Sequence, residues 1–341
     1  MSKSTHFMKL KQINVEMIKT ALKEQEYSTK SSIAHTTGLS VATCGNILKE
    51  LLVTEEVFEI DFEASTGGRP ARRFVYNENF ANVVALFPRI EGDVKSISCA
   101  VSNMLGEYVY EKSTPYSDIT IKEIDETIEM LLRKFPNIKV IALGIPGVVH
   151  KGKIGFCDFD KLVEFPIKSY LNEKYQLEIV VENDMNSTAL GFYKKISEEK
   201  PESMAYIYFP KDSLSGAGII VNGQIIKGHS NFAGEVAYLP LKNRMEAQRP
   251  IQKYPAQFAD LVSKMIASIN SVINPEHIVL TGYYFNDTLI ELIKVALTEF
   301  TPSDHMPELF CEDDIHDSYI YGLTSMGLNK LSCRIEIVER H

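Results

Sequence analysis

The feature that most constrains this chain is the run IVVENDMNSTALG at residues 179–191. Ile179, Val180, Val181 and Glu182 have strand character, and a helix-like stretch begins right after Asn183-Asp184. A short apolar run that stops at an Asx pair reads as a buried strand ending at a helix N-terminus. A carboxylate at that edge can cap the helix, clamp a ligand or act as a general base. A second run, KVIALGIPGVV, is also a buried strand and breaks at Gly144-Ile145-Pro146-Gly147.

From about Asn79 onward, strands and helices alternate, which marks an α/β domain. VVALFPRI, VKSISCAVSN and GEYVYEKS read as a three-strand meander, followed by an amphipathic helix over 120–135. After the END run a second series follows. It comprises MAYIYF, GAGIIVNGQII, the loop HSNFAGE, a helix near 255–272, the strand HIVLTG and a helix near 316–330.

A chain of 341 residues exceeds one ordinary domain and implies two or three. No apolar run reaches the roughly 18 residues of a membrane span, and MSKSTHFMKLKQ lacks the apolar centre of a signal peptide. The five cysteines, Cys44, Cys99, Cys157, Cys311 and Cys333, are scattered without a C-x-x-C pair. That spacing fits a reducing cytoplasm and argues against a cysteine-rich zinc site, and the lack of an apolar span argues for no membrane partner. The net charge of -9 falls wholly outside residues 1–80, which hold ten Lys/Arg and ten Asp/Glu. Basic residues gather at the ends of that neutral segment (Lys3, Lys9, Lys11 and Lys19, then Arg69, Arg72 and Arg73). An acidic total therefore does not exclude a nucleic-acid partner.

Within the first eighty residues, Asn14 is placed to cap a helix over 15–25, with Val15, Ile18 and Leu22 on one face. A second helix spans about 30–37. Gly38 supplies the turn, and Ser40 caps a third helix running to about 52. Ala34 is small where two helices cross, and Ile33, Leu39, Cys44 and Ile47 point inward, as a helix-turn-helix requires. Ser40, Val41, Ala42, Thr43, Asn46 and Lys49 mark the outward face of the third helix, where short side chains and one amide suit a major groove. VFEIDF and RRFVYN then read as a two-stranded wing whose tip, Gly67-Gly68-Arg69-Pro70, presents Arg69 to a minor groove or phosphates. A small helical dimerisation bundle is the alternative reading.

Four segments together, IALGIPGVV, VVENDMNSTALG, GAGIIVNGQIIKGHSNFAGEV and GLSVATCGNILKELL…STGGRPARRFVYN, resemble the ROK family of repressors, open reading frames and sugar kinases. The likeness covers about residues 12–330 and is to the N-acetylglucosamine- and xylose-repressor branch. It implies a winged helix-turn-helix over 1–78 and a two-lobed actin/hexokinase-like (ribonuclease H-like) ATPase-fold domain over 79–341. The first lobe would take 79–185 with a C-terminal helix from 316, and the second 186–315. By the same resemblance Asp184 is the base of a sugar kinase and Asn183 bonds sugar hydroxyls. Gly147 lets the sugar approach the backbone, and Glu235 clamps another hydroxyl. Each residue also has a plainer reading. Asp184 would cap a helix, Asn186 would face solvent, Glu235 would pair with a Lys or Arg, and Gly147 would only make a turn.

The nucleotide half of that resemblance fails. Cradling phosphates with backbone N–H groups needs glycines. Residues 84–98, VALFPRIEGDVKSIS, lack the family's D-x-G-G-T, and its G-T-G-x-G-A-G stands here as Asp212-Ser213-Leu214-Ser215-Gly216-Ala217-Gly218. The adenosine motif L-G-G is Leu280-Thr281-Gly282. The family's zinc cluster is absent too: Tyr238 stands at its His, and 239–256 hold no Cys. The expectation is thus a non-enzyme with no cofactor and no metal, a cytoplasmic repressor that binds double-stranded operator DNA as a dimer or dimer of dimers. Its cleft would sense a sugar or sugar phosphate through Gly147, Asn183, Asp184, Glu235 and Tyr238. The rivals are a sugar kinase with an appended winged helix and a ligand-independent regulator with a vestigial cleft. Tyr238 either meets a sugar or fills the hole left by the metal shell. His229 lies near the cleft, and SCRIEIVERH adds a strand at the end.

Overall fold

The computed structural model describes residues 3–60, 72–196, 199–211, 213–241 and 245–332. The segment begins with α1 (Lys3–Lys23), β1 (Ser28–Thr29), α2 (Lys30–Thr37), α3 (Val41–Val53), β2 (Val57–Ile60) and β3 (Arg73–Tyr76). α1 runs through Asn14 instead of starting there, because an interior Asn costs a helix only a fraction of a kcal/mol, about 0.7 at most. α2 opens with a reciprocal capping box between Thr29 and Ser32 and ends at Gly38, whose φ is +70°. Ser40 Oγ accepts from Thr43 N–H at 3.1 Å, which fixes the start of α3. β2 and β3 pair antiparallel from Val57↔Tyr76 to Ile60↔Arg73. β1, which is too short to leave a periodic signal, adds to the other edge of β3. The expected wing tip with Arg69 lies outside the described residues, as does the end of SCRIEIVERH from Cys333.

The rest of the chain builds two sheets of one design. The first consists of β4 (Asn82–Glu91), β5 (Val94–Ser102) and β6 (Tyr108–Tyr116), an antiparallel meander. After α4 (Ile121–Lys134), β7 (Ile138–Ile145) joins β4 in parallel. A hairpin of β8 (Gly147–His150) and β9 (Lys153–Cys157) and then α5 (Ile167–Tyr175) lead to β10 (Glu178–Asn183), parallel to β7, and to α6 (Asp184–Lys195). The second sheet repeats the order with β11 (Ser203–Phe209), β12 (Gly216–Val221) and β13 (Gln224–Ile225). α7 (Met245–Ile251) and α8 (Pro255–Ile273) follow. β14 (His277–Gly282), α9 (Asp287–Leu297), β15 (Glu308–Cys311) and α10 (His316–Leu331) complete it. Read outward from the third meander strand, both orders are the same, β6-β5-β4-β7-β10 and β13-β12-β11-β14-β15.

α6 packs on β11 and β12 of the second sheet, and α10 on β4, β7 and β10 of the first. The two helices cross at Gly191 and Gly322, where a Cβ would meet the carbonyls of Ser318 and Ser187 at 1.8 Å. Their contact buries Phe87, Met185, Tyr206, Tyr319 and Leu323 between the sheets. At its far end α10 sends Leu328 and Leu331 to a different core, formed by Ile18, Leu22, Ile33, Cys44, Leu48 and Phe74 of the N-terminal elements together with Ala81 and Met104. None of the described helices is long and apolar enough to cross a membrane.

Candidate functional site

A cleft of about 720 Å³ opens between the two sheets at the C-terminal ends of β7, β10, β11 and β14. Gly147, Asn183, Asp184, Glu235 and Tyr238 all line it. At Gly147, where β7 turns into the β8–β9 hairpin, φ is +147° and a Cβ would lie 2.2 Å from Phe156 O. Only glycine lets the two strands meet there.

The Asx pair has divided roles. Asn183, not Asp184, caps α6: its Oδ1 accepts from Asn186 N–H at 3.0 Å. Both of its amide protons are also used, donated to Gly147 O at 3.0 Å and Asp184 Oδ1 at 2.9 Å. Asn183 therefore holds the turn and the carboxylate in place. Its remaining capacity toward a ligand is one lone pair of Oδ1. Asn186, which the sequence allowed to face solvent, is buried and donates to Glu182 Oε1 at 3.1 Å. Glu182 in turn pairs with Lys227 from the second-sheet loop, so one buried carboxylate ties α6, β10 and the opposite wall together.

Among the carboxyl groups that line the cleft, Asp158, Asp184 and Glu235 have raised pKa values, and Asp158 acts on the other two. Burial, then Asp158 and Glu235, push Asp184 up to about 8. Burial and Asp158 raise Glu235, while Asp158 is raised by burial and relieved by Arg249 of α7. Glu235 thus faces another carboxylate, where the sequence had suggested a basic partner. Near pH 7 the group at Asp184 is mostly protonated and can both donate to and accept from a hydroxyl. Perturbed carboxyls in a cleft mark a functional site more often than a structural one. Tyr319 closes the floor; its Oη is buried without a hydrogen-bond partner, and its ring stacks on Phe87 at 4.0 Å. Sequence reasoning missed Asp158, Arg249 and Tyr319. Asp158 follows a short hairpin, and the other two sit on helices whose patterns advertise only packing.

The other half of the cleft is built differently. Arg89 at the end of β4 crosses to Asp314 just before α10, Nη1 to Oδ1 3.2 Å, with Glu91 at 3.7 Å from Nη2. The glycines that survive from the phosphate motif have another task. A Cβ on Gly218 would stand 2.2 Å from Met185 O and 2.5 Å from Ala189 Cβ, so that residue lets β12 lie against α6. Asp212 lies outside the described residues.

Tyr238 is 46% exposed and forms an edge-to-face pair with Phe232 at 5.2 Å. It stands at the wall of the cleft and fills no interior hole. The residues around it do not fit a zinc shell, and no group of three or more His, Cys, Asp or Glu among the described residues is placed to hold a metal. His229 is exposed and stands apart from the cleft lining.

On the N-terminal module, Ser40, Val41, Ala42, Asn46 and Lys49 are exposed along one side of α3, with Thr43 half-buried against Ser40. The basic ends are less available than their sequence suggested. Lys11 pairs with Glu50 at 2.8 Å, Arg72 pairs with Glu59 at 2.9 Å, and Lys19 pairs with Glu56. Arg73 lies over the Tyr27 ring at 4.1 Å.

Residues 90–251 match the model of the ROK family. Over that segment the chain resembles a ROK family domain. A xylose repressor of Caldicellulosiruptor bescii is 28% identical over 243 residues, 67% of this chain and 59% of that protein. An N-acetylglucosamine repressor of Escherichia coli O157:H7 is 23% identical over 240 residues, 68% of this chain and 58% of that protein. The chain thus spans less than two thirds of the length of these relatives. Among solved structures, a ROK family transcriptional regulator described as a homolog of the E. coli MLC protein has a TM-score of 0.69 at 16% identity. It covers 94% of this chain and 99% of its own. The ROK hexokinase from Thermus thermophilus has a TM-score of 0.62 at 18% identity, covering 73% of this chain and 99% of its own. These two likenesses establish the mixed α/β, actin/hexokinase-like fold.

Proposed function

We propose that this protein is a DNA-binding transcriptional repressor of carbohydrate metabolism whose cleft senses a saccharide and transfers no phosphate. In this reading residues up to 78 form a winged helix-turn-helix with α3 as the recognition helix. Residues from 79 form the sensor, its two lobes hinged near Asp184. The observation that carries the proposal is the make-up of the cleft. Asp158, Asp184, Glu235 and the Gly147 turn line the cleft together with the Arg89–Asp314 ion pair, and this supports a site for a polyol more than one for a triphosphate. The xylose and N-acetylglucosamine repressor names of the relatives support the DNA-binding and sugar-linked parts.

α10 offers a route between the two activities. Tyr319 near its start forms the cleft floor, and Leu328 and Leu331 at its end pack into the core of the N-terminal module. A ligand that favours one lobe arrangement would tilt this helix and change how two recognition helices of a dimer are spaced. Half-sites lie about 34–36 Å apart or multiples of that, so a small tilt matters. A coupling of about 1–3 kcal/mol would change operator affinity roughly 5–150-fold.

The test is a genomic operator selection with the purified full chain, followed by gel shift with and without saccharides. Sequence-specific binding that a saccharide weakens is the expected result. Hexose-dependent ATP turnover that Asp184→Asn abolishes would establish the kinase reading instead.

A further inference from the structure

Resting on that saccharide-site reading, we infer that the ligand has at least two sugar rings, and that Phe156 and Tyr238 of the cleft lining form the subsite of the second, with Phe232 packed against Tyr238. The carboxyls Asp158, Asp184 and Glu235 supply hydrogen-bonding groups for one ring. Around them stand aromatic rings that the fold leaves uncovered: Phe156 is 55% exposed, Phe232 47% and Tyr238 46%. Phe156 comes from β9 on the first-sheet side, beside Gly147, while Phe232 and Tyr238 come from the opposite loop, on either side of Glu235. Phe156 and Tyr238 thus bring half-exposed aromatic rings to one polar cleft from its two sides.

Saccharides suit such a cleft. One face of a pyranose presents C–H bonds, which carry slight positive charge and pack on the negative face of an aromatic ring, while the hydroxyls remain at its rim. Tyr238 and Phe232 are locked to each other edge-to-face, at 5.2 Å and 62°, so little conformational freedom is lost when a ring lands on them. The cleft as a whole, about 720 Å³ and reaching from Phe156 and Tyr238 to Arg89, is within the roughly 300–1,000 Å³ of small-molecule sites and has room for two rings. The remaining direction of growth ends at Arg89. A phosphate placed there would compete with Asp314 and Glu91, which already hold the guanidinium. An uncharged second ring on the aromatic side avoids that competition.

Titration calorimetry on the full chain distinguishes the alternatives, using matched pairs: glucose with cellobiose and with maltose, xylose with xylobiose, N-acetylglucosamine with its β-1,4 dimer. Glucose 6-phosphate and N-acetylglucosamine 6-phosphate form the phosphate arm. The expected result is a disaccharide that binds tighter than its monosaccharide by roughly three- to tenfold, the effect of one aromatic contact. Tyr238→Leu and Phe156→Leu, which keep apolar bulk without a π face, should bring that ratio toward one. Both positions are half-exposed, and circular dichroism checks that the variants fold. Equal or weaker binding of every disaccharide, a ratio that survives both substitutions, or a sugar phosphate that outbinds all others would each overturn the inference and leave the sensor reading standing. If no saccharide binds, the inference and the saccharide reading fail together.

Discussion

Arg89 and Asp314 face each other across the cleft with Nη1 and Oδ1 3.2 Å apart, and their environments differ. The arginine side chain is 14% exposed and the aspartate 55%. Burial lowers the Arg89 pKa, and the neighbouring Asp314, Tyr208 and Glu91 more than offset this, so the guanidinium stays charged. Losing the aspartate removes the nearest counter-charge of a mostly buried cation whose Nε already lacks a partner, leaving it only Glu91 and Tyr208, whereas losing the arginine leaves a solvated carboxylate.

The two single substitutions should therefore be unequal. Asp314→Asn is expected to cost about 1–3 kcal/mol, the penalty of under-satisfying a buried charged donor, and Arg89→Met less. Urea unfolding of both variants measures the difference. If the two midpoints fall equally, the pair is an ordinary surface contact.

Asp184 gives a pH dependence whose sign follows from its raised pKa of about 8 against an ordinary 3.8. Between those values the folded state binds more protons than the unfolded one, so this group makes stability fall as pH rises from about 4 to 8. Asp184→Asn removes that slope. The variant should match the wild type near pH 4 and exceed its melting temperature increasingly up to pH 8. A constant offset across this range would mean the carboxyl is not buried against Asp158.

Gly218 separates ancestry from present need. With a Cβ position 2.2 Å from Met185 O, Gly218→Ala forces α6 away from β12, and overpacking of this kind costs about 1–3 kcal/mol. Loss of stability without any bound nucleotide is the expected outcome by thermal denaturation. A fully stable Gly218→Ala protein would return the glycine to a phosphate-binding role.

How much of this was legible beforehand depended on whether a residue's work is local. The amphipathic period over 120–135 and the Ser40 cap, whose bond to Thr43 N–H spans one helical turn, let α4 and α3 be placed closely from sequence. β4 to β7 and β10 announced themselves by apolar runs. α5, α7 and β15 did not, being short or weakly patterned, whereas α9, capped by Asn286 and amphipathic, carried a signal that the sequence reading does not use. The END motif located the cleft, and Asn183's cap is as local as that of Ser40, but its donation to Gly147 O and the pairing of Lys227 with Glu182 join residues 36 and 45 positions apart. No spacing rule carries that information. The same limit applies to Lys11 and Arg72, basic in sequence yet paired in space.

Those pairings shape the last prediction, on DNA. Exposed Asn46 and Lys49 project from α3, while Lys11 and Arg72 are already held by Glu50 and Glu59. Once an operator is known, Asn46→Ala should lower discrimination among operator variants by about 1–3 kcal/mol if the amide reads a base edge. Lys49→Ala should instead weaken all sequences alike and reduce the slope of log K against log salt by about one. Lys11→Ala should leave that slope nearly unchanged, since its charge is neutralised within the protein. Fluorescence anisotropy over a salt series reads all three. A full unit of slope lost at Lys11 would mean that the Glu50 pair opens when DNA binds, and that the module meets phosphates with α1 as well as with α3.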